Sequence, residues 1–159
     1  MTSNVLHAMS GYANSEPIVA SAAAGFSAIW TATQTFTVPD TLVCLPDTEV
    51  FDTAGFYNPA TGVFSVPSVY DGYYAYISAN VEISNEVRLS LDLELDTGGG
   101  FSTITRCTRL TDRHATLHKL VKLADGDEYR TTIELFAGAS QDVQALPHCF
   151  FSALILEDV

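Results

Sequence analysis

His114 and His118 stand four residues apart, the spacing that on a helix aims two imidazoles at one metal ion, as in His-Glu-x-x-His. The residues around them alternate as a strand, where positions four apart share a face but lie about 13 Å from each other. The pair therefore makes no joint site within one chain. One histidine from each of three chains meeting on a threefold axis is the arrangement that stays open. His7 falls in an N-terminal segment and His148 in a loop.

The carboxylates give equally little chemistry. Asp92 and Glu94 share one face of an alternating run, which reads as a solvated strand surface rather than an acid/base pair. Asp125, Asp127 and Glu128 have the composition of a calcium loop without the twelve-residue EF-hand spacing. No Gly-x-Ser-x-Gly elbow or comparable cysteine setting is present for nucleophilic catalysis. The run Thr97-Gly98-Gly99-Gly100 lacks the Gly-Lys-Ser/Thr ending and following helix of a phosphate-cradling loop. No catalytic or metal residue is assigned, and the chain reads as a non-enzyme.

The 159 residues carry 19 acidic and 7 basic side chains, a formal charge of -12, and no Lys or Arg precedes Arg88. That excludes a basic surface tracking nucleic acid. Residues 18–24 are too short and too Ala-rich to span a membrane, and the N-terminus has no basic region of a secretory signal. A soluble protein made inside a cell is expected. Cys44, Cys107 and Cys149 fit neither a zinc pattern nor a disulfide framework. Buried thiols acting as small hydrophobes are the expected state, with one disulfide open if two of their strands are neighbours.

The elements read as strands and turns, with no convincing amphipathic helix. Residues 1–24, rich in Ser, Ala and Asn, cannot bury enough surface to offset their ordering entropy and form an arm that would gain order against a neighbouring subunit. Phe26, Ala28 and Trp30 open the β region, with Trp30 a core or interface anchor. Residues 73–84 put Tyr73, Ala75, Ile77, Ala79, Val81 and Ile83 on one face and Tyr74, Tyr76, Ser78, Asn80, Glu82 and Ser84 on the other. Residues 87–96 alternate most cleanly, with leucines inward and one wet face. A turn at 97–100 leads to a strand over 101–110. Residues 113–123 and 128–136 read as a further hairpin about Asp125-Gly126-Asp127. The last strand, 149–156, is apolar on both faces, so its second face needs a cover, and a subunit contact is the economical one.

One stretch, residues 55–79, ties these pieces to a known pattern. Phe56, Tyr57, Pro59, Thr61, Gly62, Phe64, Val66, Pro67, Gly72, Tyr74 and Tyr76 match or nearly match F-x-(Y/N)-x-P-x-T-G-x-F-x-V-P-x-x-G-x-Y-x-F. This resembles the signature of the C1q-like domain, a member of the tumour-necrosis-factor-like jelly rolls. Gly25-Phe26-Ser27-Ala28 is similar to the family's opening A-F-S-A. The run from Phe150 and Phe151 to Leu156 is similar to its closing F-S-G-F-L-L strand, and Leu123 to Glu128, with Gly126, sits where the family has L-x-x-G-D-x.

The resemblance implies an all-β, ten-stranded antiparallel jelly-roll sandwich over residues 25–159, assembled as a homotrimer. It also implies that Tyr74, Tyr76, Phe150 and Leu154 lie at the threefold axis. No cofactor is expected beyond a surface calcium, which some members bind near the apex. The absence of a Gly-X-Y stalk and of an export signal departs from the animal members. Similar trimeric jelly rolls occur on bacteriophage virions. The expected role is accordingly a capsid decoration (cement) protein at the virion surface, holding the major capsid protein through its arm and trimer base. The alternative is a receptor- or glycan-binding head that stacks sugars on Tyr57 and Tyr70 to Tyr74.

Overall fold

A computed structural model describes residues 24–37, 40–136, 140–145 and 148–156. The proposed arm, apart from Ala24, lies outside them. Eleven strands follow in order: β1 (Gly25–Ile29), β2 (Gln34–Phe36), β3 (Asp40–Val43), β4 (Thr48–Asp52), β5 (Tyr57–Asn58), β6 (Val63–Ser65), β7 (Tyr74–Asp96), β8 (Ser102–Lys122), β9 (Glu128–Leu135), β10 (Gln141–Val143) and β11 (Phe150–Leu156). A single 3-10 turn, Ser68–Tyr70, follows Pro67. Among the described residues no helix is long and apolar enough to cross a membrane.

Two layers arise because β7 and β8 are long enough to serve both. The first half of β7 pairs with β11, which pairs with β1 and then β4. Its second half pairs with β9, whose other edge carries β6 and β3. β8 follows β7 along nearly its whole length, so both layers end on β8. The pairing slips between Glu82 and Leu89, where the hairpin passes from one layer to the other. The strands expected over 73–84 and 87–96 are therefore continuous, as are those over 101–110 and 113–123. The separate short ladders of β2, β3, β5 and β10 bring the number of strands among the described residues to eleven, where ten were expected.

The expected hairpin between residues 113–123 and 128–136 does not form. β9 pairs with β7, β6 and β3, and β8 pairs with β7. The turn between them is captured by another part of the chain. The Leu123 N–H donates to Tyr73 O at 2.8 Å, Gly72 N–H returns a bond to Leu123 O at 2.9 Å, and Gly126 N–H donates to Val66 O at 3.1 Å. With its polar backbone satisfied by residues 66 to 73, this segment crosses from one layer to the other instead of turning back on itself.

The core lies between the layers. Ala75, Ile77, Ala79, Val81 and Ile83 come from one half of β7 and Leu89, Leu91 and Leu93 from the other; all are fully buried. At one end the motif aromatics gather. The Phe26 ring stacks on Tyr57 at 4.9 Å between centroids and meets Phe64 at 5.2 Å and Phe151 at 5.0 Å, while Phe56 meets Phe64 edge-on. Trp30 is buried, its Nε1–H donating to Gln34 Oε1. Cys44 and Cys149 are buried as expected, Cys107 is only partly buried at the edge of the core, and no disulfide is formed. Burial pushes the Cys44 thiol up to about 12, so it stays protonated and inert at neutral pH.

Gly62 shows why the motif turn is specified. Asn58 O accepts from the N–H of Thr61 and Gly62, and Asn58 Oδ1 accepts from Ala60 N–H, closing a turn over Pro59 that leaves Gly62 at φ 69°. A Cβ there would lie 2.4 Å from Cys44 O. Gly62→Ala therefore combines a left-handed backbone with a clash against a carbonyl. A loss of about 3 kcal/mol in stability is expected, read as a lower urea midpoint at unchanged m-value.

Candidate functional site

The outward face of the layer β4-β1-β11-β7-β8 carries the side chains that period-2 alternation turns away from the core. On β11, Phe151, Ala153 and Ile155 are buried while Phe150, Leu154 and Leu156 point the other way. The register sets Leu154 beside Tyr76 and Tyr76 beside Leu120; one step along, Leu156, Tyr74 and Lys122 form a second row. Phe150 falls opposite Asn80 and Ile29. All four positions expected at an axis, Tyr74, Tyr76, Phe150 and Leu154, thus share one sheet face. Tyr74 and Tyr76 remain 43% and 42% exposed, and Leu120 55%. The His118 ring stacks on Tyr76, with centroids 5.9 Å apart.

Leu120 and Phe51 belong to this face and were not anticipated. Leu120 had a legible signal, because in residues 113–123 it falls out of phase with Ala115, Leu117 and Val121 while Lys119 falls in phase with them. The structure follows that inversion. Lys119 pairs with Ile77 and reaches the layer edge to donate through Nζ to Ile104 O at 2.9 Å, which leaves Leu120 outside.

At the far end of the same face the register sets Glu82 opposite His114, and the loop before β11 brings in His148. Both imidazole Nε2 atoms approach the same Glu82 Oε2, His114 at 2.9 Å and His148 at 2.8 Å. Arg113 holds the other oxygen, Oε1, at 3.0 Å. The His148 ring, and after it His114 and Arg113, hold the Glu82 carboxyl below the usual carboxylate range against the opposing effect of burial. His148 is fixed from behind: Asn80 Nδ2 donates to its backbone carbonyl at 2.7 Å, and Glu82 N–H donates to Cys149 Sγ at 3.2 Å. Nothing in the sequence connects positions 82, 114 and 148; only the strand register does. His114 and His118 remain apart, as strand geometry requires.

The remaining candidates are absorbed by structure. Asp92 does not sit on a wet face: it is buried, and Arg106 Nε donates to both of its oxygens, at 2.8 and 3.0 Å. Glu94 accepts from Arg130 Nε at 2.7 Å. Each of the two carboxylates is thus taken by an arginine from a neighbouring strand, which covers the strand surface that alternation alone assigns to solvent. Asp127 is also buried, its Oδ2 accepting from Ala124 N–H and Tyr129 O–H, so this carboxylate closes its own turn. Tyr57 is buried with its hydroxyl on Pro46 O, while Tyr70 and Tyr73 pack edge-on against each other and are half-buried. That leaves little of this group as a stacking platform.

Two layers joined by a shared long hairpin, with the motif aromatics at one end, define a C1q/TNF-like jelly roll. Solved structures agree. The chain is similar to murine APRIL (TM-score 0.63, 13% identity, covering 84% of this chain and 98% of that one) and to Eiger TNF from S. frugiperda (0.61, 13%, 86% and 94%). It is likewise similar to the globular domain of zebrafish complement 1qA protein (0.53, 18%, 83% and 94%). At these identities the likeness is one of fold. No family model and no curated protein matches the sequence.

Proposed function

We propose that the chain is a non-enzymatic structural domain that acts as a homotrimer, its subunits meeting over the outer face of the β4-β1-β11-β7-β8 layer. The observation that carries this is the cluster of Tyr74, Tyr76, Leu120 and Leu156, all exposed on one sheet face beside Leu154. Apolar surface gathered this way is what an obligate interface covers. A heterologous contact from this face to a different face of a neighbour closes as a ring of three when all subunits are equivalent.

The particular role assigned to this trimer is decoration of a phage capsid, with the major capsid protein as partner and the virion surface as its place. One feature of the sequence supports it: the Ser-, Ala- and Asn-rich segment 1–24, unable to bury itself, is the part left to reach along a larger surface once the apolar face is taken by the proposed self-association. Deletion of residues 1–24 is expected to leave the trimer intact and abolish capsid attachment in a co-sedimentation assay with undecorated capsids. Unchanged occupancy after the deletion rejects the decoration role without touching the trimer.

A further inference from the structure

We infer that Glu82, His114 and His148 form a binding site for a divalent transition-metal ion of the zinc type. The argument is independent of assembly, because all three donors come from one chain. Their donor atoms all lie within 4.8 Å of one another. Two imidazoles and one carboxylate are a donor set that Zn2+ takes with a fourth position left open. At about 2.0–2.1 Å from each donor, tetrahedral geometry separates donors by about 3.4 Å. The 2.8 and 2.9 Å separations seen here must therefore open by about half an ångström. In the single chain both rings are half-exposed, at 52% and 53%, so they have room to do so.

The site is built rather than assembled from loose surface groups. Glu82 and His114 are opposed on adjacent strands, and the Glu82 side chain is only 12% exposed. Arg113 occupies Oε1, which leaves Oε2 as the single carboxylate donor aimed at both rings. The His148 backbone is tied to Asn80, whose Oδ1 accepts from Thr116 Oγ1, so the loop ligand is anchored to the sheet that carries the other two. On the far side of the His114 ring, Nδ1 lies 3.8 Å from Asp112 Oδ1, beyond hydrogen-bond distance, and that oxygen accepts from the backbone N–H of Arg113 and His114. The charged groups around the site are thus Glu82, Asp112 and Arg113, with the two histidines.

The test is calorimetric titration of the full chain with Zn2+ near neutral pH, alongside His148→Gln, Glu82→Gln and His118→Gln. One ion per chain is expected, with affinity weakened by about 100-fold or more in the first two variants and unchanged in the third. His148 is exposed and His118 lies on the same face outside the cluster, so neither change endangers the fold; circular dichroism of each variant checks this. In the Co2+-loaded chain the visible spectrum is expected to show d–d bands without a thiolate charge-transfer band, which separates this site from metal held by cysteine. Equal Zn2+ affinity in the wild type and His148→Gln overturns the inference. So does a loss in His118→Gln as large as that in His148→Gln.

Discussion

Tyr76→Glu is expected to turn the proposed trimer into folded monomers. In a single chain this side chain is 42% exposed, so a carboxylate there meets water and costs the fold little. In the proposed ring the same position, between Leu154 and Leu120, would lie on a face closed to solvent, where an unpaired charge is strongly unfavourable. A penalty of about 4 kcal/mol per contact corresponds to about a thousandfold weaker association, and each ring contains three such contacts. Sedimentation velocity should show the slow monomer boundary, while the far-ultraviolet spectrum stays that of the parent. Leu120→Glu, at the neighbouring position, should do the same. Dissociation by neither variant places the interface elsewhere.

Phe26→Ala has the largest expected effect on the fold itself. The ring is fully buried and touches Tyr57, Phe64 and Phe151, so it joins β1, β5, β6 and β11 at one end of the sandwich. Truncation leaves a cavity lined by three aromatic rings that cannot collapse together, for a loss of about 3–5 kcal/mol. A domain with about 5–15 kcal/mol of total stability would lose a large share of it. Urea unfolding should move to a much lower midpoint, whereas Pro59→Ala, in the exposed motif turn, should shift stability by no more than about 0.5 kcal/mol. Equal effects would mean that the motif is not divided into core and turn as described.

The pattern that made the fold legible was local. Phe26, Phe56, Phe64 and Phe151 sit at positions where alternation and turn chemistry agree, and the structure packs them together. The outward placement of Tyr74 and Tyr76 followed from the same period-2 rule, whereas Phe150 and Leu154, in a strand apolar on both faces, were named only through the family resemblance. What that rule misses is which strand lies beside which. It assigned Asp92 to solvent because nothing in residues 87–96 reveals that Arg106, fourteen residues on, folds over it. It paired residues 113–123 with 128–136 because a short Asp-Gly-Asp turn reads as a hairpin, whereas the backbone of residues 66–73 captures that turn and sends the chain across to the other layer. The Glu82, His114 and His148 cluster was invisible for the same reason: its three members are brought together by register and a loop, not by spacing.

The mass of the full-length chain in dilute solution tests the central claim most directly. Sedimentation equilibrium should return three times the 17.1 kDa chain mass, with no dissociation over the accessible concentration range. A well-folded species at 17.1 kDa would leave the Tyr76 face bare in water and contradict the assembly, and the capsid role that rests on it.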